Sequence, residues 1–95
     1  MCDDLHKEYD PLANGPAQIG ELPLWMNING KVAWYVHQGP YSELMASWLN
    51  FSKQRHAMNL QMRGPPGEVS VCDPDEHGAD GGKRVLTILW APVKD

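Results

Sequence analysis

The feature that most constrains the fold is an apolar run that ends in a turn and leads directly into a helical pattern. It occupies Lys31–Tyr41 and reads KVAWYVHQGPY. The β-branched and aromatic residues at 32–36 favour a strand, and Gly39-Pro40 ends it because glycine and proline interrupt strands. Proline also fits the first turn of a helix, where its missing N–H costs no hydrogen bond. The segment therefore predicts a strand, a tight turn and a helix start in succession.

An amphipathic helix is predicted over Tyr41–His56, because apolar residues recur there with helical spacing and polar residues occupy much of the opposite side. The side expected to face the sheet comprises Tyr41, Leu44, Met45, Trp48, Leu49 and Ser52. Arg55 and His56 suit the negative end of the helix dipole. Asn59 suits the left-handed conformation that often ends a helix.

A second strand is predicted before this unit. Glu21–Ile28 carries apolar residues at alternate positions, and Pro23 restricts the strand to the edge of a sheet or to a start just after the proline. Asn29-Gly30 follows and predicts a hairpin turn into the next strand, since both residue types tolerate positive φ. Residues 1–20 show no sustained period and predict an irregular arm.

Two more strands are predicted after the helix, at Glu68–Cys72 and Arg84–Val93, on either side of a loop rich in turn-forming residues. Strands with one buried face plus a single helix indicate an α+β fold: an antiparallel sheet with one amphipathic helix on one face. The length of 95 residues suits one domain, which we place at residues 21–95.

Charge and composition exclude several classes of function. The formal net charge is −4, with lysine and arginine scattered through the chain, whereas nucleic-acid binding relies on clustered cations. We therefore expect no direct contact with nucleic acid. The acidic, polar start is unlike a secretory signal, and the longest apolar run is too short to span a bilayer. Neither Cys2 nor Cys72 indicates a disulfide framework, so we expect a cytoplasmic protein without membrane partners.

Three motifs, in order, carry a family resemblance. The first is HQGPY at His37–Tyr41. The second is GPP at 64–66, a short strand and then DPDE at 73–76; the third is TILWAP at 87–92. Together they resemble the small-molecule effector-binding module of gyrase-inhibitor-like proteins and of bacterial multidrug-responsive regulators. The resemblance covers about residues 30–93.

The resemblance implies a ligand groove that needs two modules. Such proteins usually contain two strand–helix–strand–strand modules, with the ligand in the groove between their sheets, whereas this chain contains one, which is most similar to the second. A homodimer would supply the missing half by two-fold symmetry. The family commonly has a glutamate where this chain has Ile88. In that family the carboxylate attracts cationic drugs and is implicated in the hydrolysis of strained rings. Isoleucine can neither carry charge nor accept a proton, so we assign no catalytic residue.

The groove residues follow from strand alternation, because neighbouring side chains point to opposite faces. By analogy with the family, Trp34, Val36, Ile88 and Trp90 would line the groove, with Trp25 beside them. Glu68 would supply the only charge, and Ser70 shares its strand face. Mostly apolar walls with few polar groups are typical of small-molecule sites. The same tryptophans would serve equally well as packing in a core or a dimer interface.

A metal site is not predicted. Cys72, Asp73, Asp75, Glu76 and His77 bring several ligand types together, but zinc sites usually take paired motifs from separate segments. A solvated loop explains them better, and we expect neither a metal nor a cofactor.

The predicted function is binding of a small molecule in a groove formed by a homodimer. We expect this molecule to be hydrophobic or aromatic, and both cationic and neutral compounds are candidates. Two alternatives stay open. One is hydrolysis of strained or alkylating compounds through Glu68. The other is a protein-interaction module that docks to a regulator or to gyrase.

Overall fold

Four antiparallel strands and two helices make up the fold, in a computed structural model that describes residues 2–26, 28–72 and 85–94. The elements are α1 (Cys2–Tyr9), β1 (Gln18–Gly20), β2 (Val32–Gln38), α2 (Leu44–Ala57), β3 (Gly67–Cys72) and β4 (Leu86–Pro92). Three 3-10 turns accompany them, at Asp10–Leu12, Leu24–Met26 and Tyr41–Glu43. The expected α+β class and antiparallel sheet are confirmed.

The two longest strands form the centre of the sheet. The strand order is β1-β2-β4-β3, with every neighbouring pair antiparallel. On β4, Thr87 lies opposite His37 of β2 and, on its other side, opposite Ser70 of β3. From β2 onward the elements follow the predicted order of strand, helix, strand and strand. Asn59 has φ 57 just after α2, as predicted for a left-handed stop.

The strand expected at residues 21–28 does not form. Leu24–Met26 makes a 3-10 turn instead, and the neighbour of β2 on that edge is β1. Consequently Asn29-Gly30 does not connect a hairpin of the predicted kind, although Gly30 has φ 85. Pro23 explains the change, because it has no N–H for a ladder and its carbonyl accepts a hydrogen bond from Met26 N at 3.0 Å.

Residues 1–20, expected to be irregular, contain α1 and β1. Leu5, Tyr9 and Leu12 follow the spacing i, i+4 and i+7, which places them on one side of a helical segment, and all three pack against the sheet core. Asn14 N donates to Val36 O at 2.7 Å, which fixes the segment along β2. The boundary between an arm and a domain at residue 20 stays a prediction.

The sheet has a core on each face. We call the side packed against α2 the helix face; its sheet residues are Ala33, Tyr35, His37, Thr87, Leu89 and Ala91. We call the other side the N-terminal face; its sheet residues are Val32, Trp34, Val36, Leu86, Ile88 and Trp90. The division matches strand alternation on β2 and β4 as predicted.

The buried side of α2 differs from the predicted one. Phe51 is fully buried between Tyr35 and Trp48, with ring centroids 6.0 Å away in each case. Met45 and Leu49, expected to face the sheet, are 73% and 58% exposed. The helix is therefore rotated relative to the predicted orientation.

The Gln54 side chain joins α2 to the chain segment that precedes β1. Its amide oxygen accepts a hydrogen bond from Ala17 N, and its amide nitrogen donates to Gly15 O at 3.0 Å. The N-terminal part of the chain is thus attached to both faces of the sheet.

Candidate functional site

The N-terminal face, where the ligand groove was expected, is filled by the chain itself. Ile88 and Val36 are 0% and 1% exposed. The covering residues include Tyr9, Leu22 and Met26, all of which are buried. Among the described residues, Ile88 is therefore covered rather than open to solvent.

The two tryptophans of this face are held by close packing. Trp34 meets the Tyr9 ring edge-on, with centroids 6.0 Å apart and an angle of 86° between the planes. Trp90 lies against the backbone of β3, since a Cβ placed on Gly67 would fall 2.5 Å from the indole carbon Cζ2. Both indoles therefore contribute to a core. This is the packing role that the sequence analysis gave as the alternative to a ligand groove.

The sheet separates the predicted site residues into two groups. Trp34, Val36, Ile88 and Trp90 share the N-terminal face, whereas Glu68 and Ser70 lie on the helix face. The cause is the register of β3, which sets Glu68 opposite Leu89 and Ser70 opposite Thr87. Cross-strand partners point to the same side of a sheet. Trp25 lies apart from both groups, in the 3-10 turn at Leu24–Met26, and is exposed.

A polar layer lies instead on the helix face, beneath the start of α2. His37, Thr87 and Ser70 stand side by side on β2, β4 and β3. Tyr41 Oη and Ser70 Oγ share a hydrogen bond of 2.8 Å, and Ser47 Oγ lies 2.6 Å from His37 Nδ1. The side chains of His37, Ser47 and Thr87 are all buried.

One cavity opens on the β3 side of this layer. The β3 cleft has a volume of about 380 Å³ and is lined by Tyr41, Leu44, Glu68, Ser70 and Thr87. Glu68 Oε2 accepts a hydrogen bond from Trp48 Nε1 at 3.0 Å, which orients the carboxylate. The buried Thr87 Oγ1 has no hydrogen-bond partner among the residues that the structure describes. The described lining of the cleft thus combines an apolar wall, one carboxylate and three hydroxyls.

A second cavity opens on the other side of α2, between the helix and the end of β2. This β2 cavity has a volume of about 310 Å³, and its walls include Asn14, Tyr35, His37, Glu43, Ser47 and Asn50. His37 Nε2 lies 3.2 Å from Pro40 O. A carbonyl only accepts hydrogen bonds, so Nε2 carries the ring proton and Nδ1 accepts from the Ser47 hydroxyl.

Two side chains outside these cavities have shifted pKa values. Burial, and secondarily the charge of Glu8, raises the pKa of the Tyr9 phenol above its ordinary value of 10.0. Burial lowers the pKa of Arg55, whose guanidinium carbon lies 4.8 Å from the Phe51 ring centroid. Arg55 also donates to Ser52 Oγ at 2.9 Å, so it supports the end of α2 rather than either cavity.

Within residues 2–26, 28–72 and 85–94, no group of three or more His, Cys, Asp or Glu side chains is arranged to hold a metal ion. The acidic loop weighed above, Asp73 to His77, lies outside the described residues. Among the helices that the structure describes, none has the length and apolar character needed to cross a bilayer.

Comparison with known proteins gave no significant match to a family model, a curated protein or a solved structure. The resemblance to gyrase-inhibitor-like modules therefore stays a prediction that depends on the three sequence motifs alone.

The residues that sequence reasoning missed are Thr87 and the pair formed by His37 and Ser47. His37 contacts the turn through Pro40 O as well as Ser47 on α2. The available signal was Ser47, a small polar residue three positions after Leu44 and four before Phe51. A polar residue on the buried side of a helix nearly always has a hydrogen-bond partner inside the protein.

Proposed function

We propose that this chain binds a small aromatic or alicyclic molecule with a cationic group, in the β3 cleft. The observation that carries the proposal is Thr87, which lines the same cleft as Glu68 and whose buried hydroxyl has no partner among the described residues. The class of function is the one predicted from the sequence, but the site lies on the opposite face of the sheet.

The Thr87 hydroxyl supports the proposal through its energetics. Buried polar groups in folded proteins nearly always have hydrogen-bond partners, and leaving one without a partner costs about 1–3 kcal/mol. A polar group on a ligand that reaches Thr87 Oγ1 recovers this energy on binding. The hydroxyl both donates and accepts, so it accommodates an ether, a carbonyl or an N–H.

Glu68 supports the choice of a cation. Its carboxylate has several acceptor positions, of which Trp48 uses one, and the remainder are available to an ammonium or amidinium group. Charge-assisted hydrogen bonds of this kind are about twice as strong as neutral ones. Tyr41 and Leu44 provide the apolar wall, and about 380 Å³ falls near the lower end of small-molecule sites.

The indole N–H of Trp48 offers a direct readout, because it donates to the carboxylate that would receive the cation. We would titrate uniformly ¹⁵N-labelled protein with benzylamine-type compounds and with matched benzyl alcohols and benzoates, and follow the four indole resonances. Trp48→Phe assigns the relevant signal. The amines should move the Trp48 resonance in a saturable way, and the benzoates should not.

Variants then separate the two contacts. Glu68→Gln should abolish the preference for amines over alcohols, and Thr87→Val should weaken binding of both. Glu21→Gln, an exposed change away from the cleft, is the matched control. The proposal is wrong if no compound moves the Trp48 resonance, or if binding is the same in Glu68→Gln, Thr87→Val and the control.

The remaining expectations from the resemblance stay predictions. A homodimer groove over Trp34 and Ile88 requires that the covering residues 5–26 leave the N-terminal face, and light scattering with and without ligand tests the pairing. Hydrolysis through Glu68 predicts turnover of alkylating compounds that disappears in Glu68→Gln. Docking to a regulator or to gyrase is tested by binding to the purified partner.

A further inference from the structure

We propose that Ser47 and His37 form a nucleophile–base pair that accepts an acyl group from a small activated ester or thioester in the β2 cavity. The proposal is independent of ligand binding in the β3 cleft, because it concerns a different cavity and different side chains.

The contact between the two residues has the geometry that nucleophile activation requires. Ser47 Oγ lies 2.6 Å from His37 Nδ1, with both side chains almost fully buried. A weak hydroxyl nucleophile needs an adjacent base within hydrogen-bond reach, and the base needs a third group that orients it. The Pro40 carbonyl is that group here, since it receives the Nε2 proton at 3.2 Å and leaves the Nδ1 lone pair facing Ser47.

The turn between β2 and α2 holds this pair in position. Gly39 has φ 139, which is readily adopted only by glycine. A Cβ at that position would lie 3.2 Å from Glu43 Oε2 and 3.8 Å from His37 Cε1 and Nε2. The absence of a side chain at Gly39 therefore lets the Glu43 carboxylate and the His37 imidazole both approach this turn.

Donors for a developing oxyanion are present in the same cavity. Asn50 Nδ2 donates to the Tyr35 hydroxyl at 3.0 Å, and a hydroxyl that accepts a hydrogen bond also has a proton of its own to donate. Both side chains line the cavity with Ser47. Donors held in place before the reaction contribute strongly to acyl transfer, because they require no rearrangement as charge develops.

The reaction balances without a cofactor. Ser47 Oγ attacks the carbonyl carbon of the ester while His37 Nδ1 takes the hydroxyl proton. The bond to the leaving group then breaks, and Nδ1 returns the proton to the departing alkoxide or thiolate, which leaves an acyl ester on Ser47. In the second half, Nδ1 takes a proton from water, the hydroxide attacks the acyl carbon, and the proton returns to Ser47 as the carboxylic acid leaves. A cavity of about 310 Å³ restricts the acyl group to a short one.

The test uses the full chain and p-nitrophenyl acetate, with release of nitrophenol followed by absorbance and the acetylated residue located by peptide mass spectrometry. The wild-type protein should show acetylation at Ser47 and turnover that rises with deprotonation of a single group. Ser47→Ala should lower the rate about 100-fold or more, in line with the contribution of a positioned nucleophile and base. Ser52→Ala, an exposed serine on the same helix, should leave the rate unchanged.

The base has its own variant and control. His37→Gln should remove both the acetylation and the pH dependence, whereas His56→Gln, on the exposed side of α2, should preserve them. Because a change at His37 also removes the Pro40 contact, Ser47→Cys provides a variant that keeps the pair. It should react with iodoacetamide faster than a free thiol at neutral pH.

The proposal is overturned if Ser47 carries no acetyl group, if Ser47→Ala hydrolyses the ester as fast as the wild type, or if Ser47→Cys reacts no faster than a free thiol. In each of these cases the contact serves only to join α2 to β2.

Discussion

The two faces of the sheet are built from the same strands but differ in what they bury. The N-terminal face buries Val36, Leu86 and Ile88 under apolar residues of the chain's own first segment. The helix face buries a histidine, a serine and a threonine, with a cavity on each side of them. Apolar burial contributes about 25 cal/mol per Å², whereas a hydrogen bond between buried polar groups contributes only about 0.5–1.5 kcal/mol net. The N-terminal face is thus built mainly from apolar packing, whereas the helix face carries the polar side chains on which both proposals depend.

The largest effect should come from Ile88→Glu, which installs the acid common in the resembling family. On a filled face the carboxylate would be buried without a partner, at a cost of about 3–5 kcal/mol. Urea unfolding followed by circular dichroism measures the loss. The same change at the half-exposed Ile19 is the control and should cost little. A stable Ile88→Glu protein would mean that the N-terminal face opens, and would end the contrast between the faces.

A matched pair of truncations on β4 should give the next largest effect. Ile88 and Leu89 are adjacent, fully buried and directed to opposite faces. If both faces are packed, Ile88→Ala and Leu89→Ala should each cost about 2–5 kcal/mol. Chemical denaturation compares them directly. A cost for Ile88→Ala below about 1 kcal/mol would mark the N-terminal face as loosely covered.

Thr87→Val sharpens the contrast from the helix face. It replaces a buried hydroxyl, which has no partner among the described residues, by a methyl group of similar size, so the protein should become more stable by about 1 kcal/mol. Thr87→Ser keeps the hydroxyl and removes the methyl group, and should shift stability in the opposite direction. Thermal unfolding of the two variants is the measurement. A loss of stability in Thr87→Val would show that the hydroxyl has a partner.

The smallest expected effect is on the pH dependence of the protein's stability, through Tyr9 on the N-terminal face. The pKa of Tyr9 is raised in the folded protein, by burial first and by Glu8 second. The unfolded phenol therefore loses its proton at a lower pH than the folded one, and the stability that it contributes is lost as pH rises from the ordinary pKa of 10.0 through the raised pKa of the folded protein. Tyr9→Phe keeps the ring and should show a weaker decline of the urea midpoint over this range. Equal slopes in both proteins would contradict burial of the phenol.

The elements from β2 to β4 could be predicted because their signals are local. Alternation sorts β2 and β4 into faces, and Gly39-Pro40 ends β2 and precedes the 3-10 turn at Tyr41–Glu43, so α2 begins at Leu44, three residues after the predicted start. The first part of the chain could not be predicted in the same way. Leu22, Leu24 and Met26 alternate like a strand, but Pro23 has no N–H to pair, and β1 takes the edge with only three residues. Such a short strand leaves no period in the sequence.

The site was harder to predict because it depends on register and on rotation. The faces of Glu68 and Ser70 follow from which β4 residues they oppose, and that pairing is set by tertiary structure rather than by alternation within β3. The orientation of α2 differs from the predicted one for a related reason. Ser47 interrupts the apolar stripe through Leu44 and Phe51, so the sequence favoured the more continuous line through Met45 and Leu49. Ser47, the polar residue that interrupts the apolar stripe, is also the residue that contacts His37.

Gln54 has a consequence for how the sequence can vary. Its amide contacts Gly15 and Ala17 only through their backbone atoms, in the way that one peptide group pairs with another. Substitutions at 15–17 that keep the backbone path should therefore be accepted, while the glutamine itself should resist replacement even by glutamate, which has no N–H to donate. In a set of related chains, we therefore expect the glutamine at position 54 to be invariant, while residues 15–17, more than thirty positions earlier, vary.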